Sequence, residues 1–133
     1  MQVREGMSTE VMTVGPDHTL RAASRVMAAR RVGAAVVSDP DGAGVGILTE
    51  RDVLASVGAG QDPDVEHVRD HVTTELVYAA PSWTLEQAAD AMLRGGFRHL
   101  VVLDGGEVVG ILSVRDIVRC WAAQRSGEAE LVG

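Results

Sequence analysis

Hydrophobic and polar positions along the chain follow one pattern that is written twice. A short apolar segment, residues 11–14 ("VMTV") or 76–79 ("LVYA"), precedes a stretch of helical spacing. Its apolar positions are Leu20, Ala23 and Met27 in one copy and Leu85, Ala88 and Met92 in the other, at i, i+3 and i+7. The second helix opens with Thr84-Leu85-Glu86-Gln87, a capping box; the first has Thr19 without the glutamine and so a weaker cap. An apolar run follows, residues 34–37 ("AAVV") or 100–103 ("LVVL"). An Asp/Gly turn joins it to "VGIL", which reads as a β-hairpin, and another helix starts at Thr49 or Ser113. Each copy is therefore predicted to be β-α-β-β-α, and the fold class α+β.

The repeat extends beyond these elements. Shifted by 65 residues, "VREGMSTEV" from Val3 falls on "VRDHVTTEL" from Val68, and Pro16 and Thr19 fall on Pro81 and Thr84. After the turn the offset becomes 64, and "VGILTERDVL" from Val45 falls on "VGILSVRDIV" from Val109. The one-residue slip lies in "DPDGAG" against "DGGE", a turn where a length change is tolerated. The expected boundaries are a first repeat over 1–57, a linker over 58–67, a second repeat over 68–125 and a frayed tail over 126–133. About 50 residues is too few for a sizeable core, so the repeats are expected to pack face to face with pseudo-two-fold symmetry. Equivalent loops would then meet at a shared cleft, where ligands tend to sit.

Composition narrows the function. The chain is 46% hydrophobic but only 3% aromatic, so its core is built from Val, Ala, Leu, Ile and Met. The net charge is −7 and every basic residue is arginine. Such a chain repels nucleic-acid backbones and anionic membranes, so neither is an expected partner. Cys120 is the only cysteine, which excludes an internal disulfide and a cysteine metal site. His18, His67 and His71 lack metal-ligand spacing, and no metal is expected. No apolar run approaches the ~20 residues of a membrane span. "MQVREGM" has no signal-peptide core, and a cytoplasmic location is expected.

The repeated heptad, "GILTERD" from Gly46 and "GILSVRD" from Gly110, supports two readings. In one, Thr49 and Ser113 cap helices, with Asp52 and Asp116 at the third helical position. In the other, the same helix start is a site for a phosphate or a vicinal diol, its free N–H groups facing outward and its carboxylate accepting two hydroxyls. The glycine before the motif would let a flat ring approach the backbone. A capping carboxylate has lone pairs to spare, so both readings can hold together.

The ordered set "VREGMSTEV…P…TL…A…M", "GFRHLVVLDGGEVVG" and apolar-Gly-Ile-Leu-(Thr/Ser)-x-Arg-Asp resembles the cystathionine-β-synthase (CBS) domain family, over both repeats. Two copies in tandem resemble a Bateman module. The resemblance implies a pseudo-symmetric pair that binds an adenosyl ligand: AMP, ADP, ATP, NAD or S-adenosylmethionine. It assigns the ribose diol to the motif aspartate, the phosphate neighbourhood to Ser/Thr, and further phosphate contacts to basic residues before the following strand. One site then uses Ser113 and Asp116 with Arg98 and His99, the other Thr49 and Asp52. Gly33 and Ala34 stand where Arg98 and His99 are expected, so the Asp116 site should prefer charged phosphates and the Asp52 site a less charged compound or none. Arg30 and Arg31 lie close to Gly33 in sequence. Val101 stands where the family often has proline.

Arg51 and Arg115 read either as solvated or ion-paired helix-start residues or as phosphate or dimer contacts. His99 adds positive charge below about pH 6.5. Cys120 reads as a packed thiol, Trp83 and Trp121 as packing or partner surface, and Arg21 with Arg25 as a solvated helix face. No nucleophile–base pair, P-loop or Gly-x-Ser-x-Gly is present; the two aspartates are the only candidate acid/base pair. Binding without chemistry is expected, with no obligatory cofactor. The resulting expectation is a regulatory, energy-sensing homodimer that signals to a separate effector protein. The rival is a ligand-independent scaffold in which both motifs only cap helices.

Overall fold

A computed structural model describes residues 1–38 and 44–132, with side chains up to Gly127. The chain folds as two compact units. The middle unit is Val11–Leu76; the terminal unit joins Met1–Glu10 to Val77–Gly133.

In the middle unit, β1 (Thr13–Val14), β2 (Ala34–Ser38) and β3 (Val45–Thr49) form a sheet in that order, β1 parallel and β3 antiparallel to β2. Helices α2 (Leu20–Arg30) and α3 (Glu50–Gly58) accompany it. The first helix of the chain, α1 (Val3–Gly6), is one turn in the terminal unit. There β4 (Tyr78–Ala79), β5 (His99–Asp104) and β6 (Glu107–Ser113) repeat the same sheet, with α4 (Leu85–Gly95) and α5 (Val114–Val132). The α+β class and the repeated β-α-β-β-α order are both present. Leu20, Ala23 and Met27 are buried on α2, as are Leu85, Ala88 and Met92 on α4. The Thr84 box closes in both directions: Thr84 N–H donates to Gln87 Oε1 at 2.8 Å and Gln87 N–H to Thr84 Oγ1 at 3.0 Å. Thr19 Oγ1 accepts from Ala22 N–H at 3.1 Å, with no reciprocal bond of a capping box among the described residues.

The β5–β6 turn is Gly105-Gly106, with φ of 60° and 83°. Positive φ at both central residues suits a two-residue hairpin, and glycine adopts it without steric cost. The corresponding turn, 39–43, lies outside the described residues. The tail expected to fray from Ser126 instead continues α5 to Val132. Glu128, Ala129, Glu130 and Leu131 are good helix formers and no proline interrupts them.

The opening segment of each repeat packs in the unit that holds the rest of the other repeat. Val3 is fully buried among Leu85, Leu100 and Leu112, and Val68 is fully buried among Leu20, Ala35 and Leu48. The hydrogen bonds are duplicated residue for residue. Val3 N–H donates to the Trp83 carbonyl and Val68 N–H to the His18 carbonyl; Arg4 N–H donates to the Pro81 carbonyl and Arg69 N–H to that of Pro16. In return, Leu85 N–H donates to the Met1 carbonyl and Leu20 N–H to that of Glu66. These bonds satisfy first-turn amides that α2 and α4 cannot satisfy themselves. The end of the linker is further held by the ion pair of Arg21 with Asp64, which keeps the Asp64 carboxyl below its usual pKa.

Each opening segment then pairs with the sheet edge. Thr73 and Ile47 exchange two backbone hydrogen bonds of 2.9 Å; Ser8 and Ile111 do the same at 2.9 and 3.0 Å. The residue beside each pairing is the motif glycine. A Cβ on Gly46 would lie 2.3 Å from Val72 Cγ2, and one on Gly110 would lie 2.6 Å from Met7 Sδ and 3.0 Å from the Ser8 carbonyl. The two glycines therefore admit the chain's own backbone, and the reading of them as room for a flat ligand ring is corrected.

Gly46→Ala should lower unfolding stability by about 1–3 kcal/mol, the range for overpacking a closed site. Val68→Ala should lower it by about 2–3 kcal/mol through the cavity it leaves. Urea unfolding of each variant against the parent checks both values.

Candidate functional site

In each unit the strand before the hairpin begins beside the strand that ends it. Ala34 pairs with Thr49 at the β2–β3 end, and His99 pairs with Ser113 at the β5–β6 end. Glu50 N–H then donates to the Gly33 carbonyl at 2.9 Å, and Val114 N–H to the Arg98 carbonyl at 3.0 Å. The fold thus brings Arg98 and His99 alongside Ser113, Arg115 and Asp116. In the middle unit it brings Gly33 and Ala34 alongside Thr49, Arg51 and Asp52. Arg51, Arg98 and Arg115 are exposed, while Thr49, Asp52, His99 and Ser113 are half-buried.

Both helix starts are capping boxes. Thr49 N–H donates to Asp52 Oδ2 at 2.8 Å, Thr49 Oγ1 donates to the same oxygen at 3.0 Å, and Asp52 N–H donates to Thr49 Oγ1 at 3.2 Å. Ser113 N–H donates to Asp116 Oδ2 at 2.8 Å, and Asp116 N–H to Ser113 Oγ at 3.1 Å. A carboxylate at this position is stabilised by the helix dipole as well as by the hydrogen bonds. The expected row of free N–H groups is correspondingly reduced. At α5 the amides of Val114 and Asp116 are spent on Arg98 and Ser113, and at α3 those of Glu50 and Asp52 are spent on Gly33 and Thr49.

The two aspartates differ beyond the cap. Asp116 is 9% exposed, and its Oδ1 accepts from Arg119 Nη2 one turn along α5. In the other repeat the position of Arg119 is held by Ala55, which carries no charge. Sequence reading missed Arg119. Its only signal was an Asp-x-x-Arg spacing, which places the two side chains on one helix face.

Cys120 is buried in the terminal-unit core, close enough to Gly6 that a Cβ there would lie 2.8 Å from its Sγ. Trp83 packs against that core, while Trp121 is 38% exposed. Among the described residues no group of three His, Cys, Asp or Glu is placed to hold a metal ion. Nor is any described helix long and apolar enough to cross a membrane.

Comparison with known proteins decides the family. The CBS domain model matches residues 2–59 and again 68–123. The chain belongs to the CBS domain family. Among its relatives is the CBS domain-containing protein YhcV of Bacillus subtilis, 34% identical over 116 residues that span 86% of this chain and 81% of that one. Among solved CBS structures, a CBS-domain containing protein from Agrobacterium tumefaciens superposes with a TM-score of 0.81 at 33% identity, over 89% of this chain and 91% of that one. A CBS domain protein from Pyrobaculum aerophilum, complexed with AMP, superposes with a TM-score of 0.78 at 28% identity, over 87% and 89% of the two chains. The fold is that of a CBS pair, and the two CBS repeats carry the two helix starts described above.

Because each aspartate closes a cap, Asp52→Ala and Asp116→Ala should each destabilise the protein by about 1–2 kcal/mol. The corresponding Asn variants, which keep an acceptor, should lose less. Thermal and urea unfolding of the four variants measures this.

Proposed function

We propose that this CBS pair is a regulatory ligand-binding module that takes an adenosyl compound at the helix starts of α3 and α5. In this reading Asp52 and Asp116 receive the ribose diol, and Thr49 and Ser113 lie near the phosphate. Arg98, His99 and Arg115 supply cations on the α5 side, and Arg51 supplies one on the α3 side. The observation that carries the reading is the match of both repeats to the CBS family, together with a 28% identical relative of the same fold complexed with AMP. The geometry is compatible with it, since a carboxylate can cap with one oxygen and accept hydroxyls with the other. The candidates are AMP, ADP, ATP, NAD and S-adenosylmethionine, and the pairing of Arg98 and His99 with the α5 start favours a phosphorylated ligand there.

The ligand regulates by binding two arrangements of the protein with different affinity, and a separate effector protein reads the difference. The module acts as a homodimer in the cytoplasm and performs no chemistry of its own. Support for self-association comes from exposed apolar residues at helical spacing: Leu54 and Val57 on α3, and Val114, Val118 and Trp121 on α5. Such rows are costly to leave in water, and Trp is enriched at interfaces.

One observation favours the scaffold reading instead: both aspartates already cap their own helices, and Asp116 has an ion pair as well. A thermal-shift titration with the five candidates separates the two readings, each variant being compared with its own ligand-free midpoint. A ligand that binds only the folded state adds about 2.7 kcal/mol at 100 times its dissociation constant. The adenosyl reading predicts a rise with at least one candidate that shrinks in Asp52→Ala or Asp116→Ala. Flat midpoints with all five, on nucleotide-free protein, support the scaffold.

A further inference from the structure

We propose that Arg119 is a built-in latch on the Asp116 site, so that the two CBS repeats bind the ribose of an adenosyl ligand with unequal affinity; this rests on the adenosyl-binding reading. Asp116 has both carboxylate oxygens engaged, Oδ2 by the Ser113 amide and Oδ1 by the Arg119 guanidinium. The carboxylate side chain is 12% exposed, so little water competes for it, whereas the arginine is 65% exposed and can swing out into solvent. A ribose diol donates through its hydroxyls and needs the oxygen that Arg119 holds. The guanidinium must therefore leave before the diol can bind in full, and a charge-assisted hydrogen bond is the stronger of the two to give up.

The equivalent aspartate is not latched in this way. Ala55 stands where Arg119 would be, and among the described residues the hydrogen bonds that the Asp52 carboxylate accepts, from the amide and hydroxyl of Thr49, both go to its Oδ2. The α3 start is thus the site that a neutral nucleoside enters first. The α5 start favours a ligand that compensates for release of the arginine. A phosphate does so, because the freed guanidinium joins Arg98 and Arg115 as a cation on that side. The asymmetry written in the sequence as Arg98-His99 against Gly33-Ala34 is reinforced by Arg119 against Ala55.

Adenosine isolates the latch, since it carries the ribose and no phosphate. Amide NMR titrations follow Thr49 and Asp52 for one site and Ser113 and Asp116 for the other, with AMP run in parallel. Arg119→Ala should tighten adenosine at the Asp116 site by roughly fivefold, the ratio that corresponds to an ion pair of about 1 kcal/mol. Ala55→Arg, at an exposed position, should weaken adenosine at the Asp52 site by a similar factor. Raising salt should tighten adenosine at the Asp116 site of the parent, because salt screens the ion pair, and should leave that site of Arg119→Ala unchanged. Adenosine binding that is unaltered or weaker in Arg119→Ala overturns the latch while leaving the adenosyl reading in place. If neither adenosine nor AMP shifts these amides in the parent or in Arg119→Ala, the adenosyl reading itself falls, and the latch with it.

Discussion

The close backbone approach over Gly46 and Gly110 is the constraint on which the rest of the molecule depends. At each of these glycines a distant segment of the chain lies against the sheet edge and exchanges two backbone hydrogen bonds with the next residue. The same segment buries a valine in the core and satisfies the first amides of a helix. A side chain at the glycine would crowd Val72 or Met7 and the carbonyl of Thr73 or Ser8, and so strain the docking of the segment. Because the segment comes from the other repeat, neither repeat can complete its unit alone. Each core is completed by a valine of the other repeat, Val3 in the terminal unit and Val68 in the middle unit.

The exchange also determines what the helix starts can do. Strand β3 or β6 is held on one side by its hairpin partner and on the other by the opening segment, so the residues that follow it emerge in a fixed direction. A capping box then orients the aspartate carboxylate within its first turn. The motif is structural before it is functional, since the hydrogen bonds that cap the helix are those that aim the carboxylate. In the proposed function, binding uses the oxygen that the cap does not need. At Asp116 that oxygen is shared with Arg119, and at the equivalent site the chain offers Ala55 in its place.

Much of this was legible in the sequence. Helix faces, both capping boxes, the hairpin and the duplication follow from local chemistry, where spacing alone fixes which groups meet. The exchange of the opening segments was not legible, because "VREGMSTEV" and "VRDHVTTEL" are equivalent and would dock alike in either unit. For the same reason Gly46 and Gly110 were read as space for a ligand when Val72 and Met7 fill it. Arg119 escaped notice because an i, i+3 charge pair is common on helices and becomes informative only once Asp116 is known to be nearly buried. The continuation of α5 past Ser126, where a frayed tail was expected, follows from the helix formers Glu128, Ala129, Glu130 and Leu131.

The central claim is that the two aspartates serve as cap and ribose site together. It is tested most directly by a crystal structure of the protein grown with AMP. The account predicts AMP with its ribose hydroxyls on the Asp116 carboxylate, Oδ2 still bonded to the Ser113 amide and Arg119 turned away from Oδ1. AMP bound elsewhere on the protein, with the Asp116–Arg119 pair intact and neither motif aspartate touching it, would contradict the account.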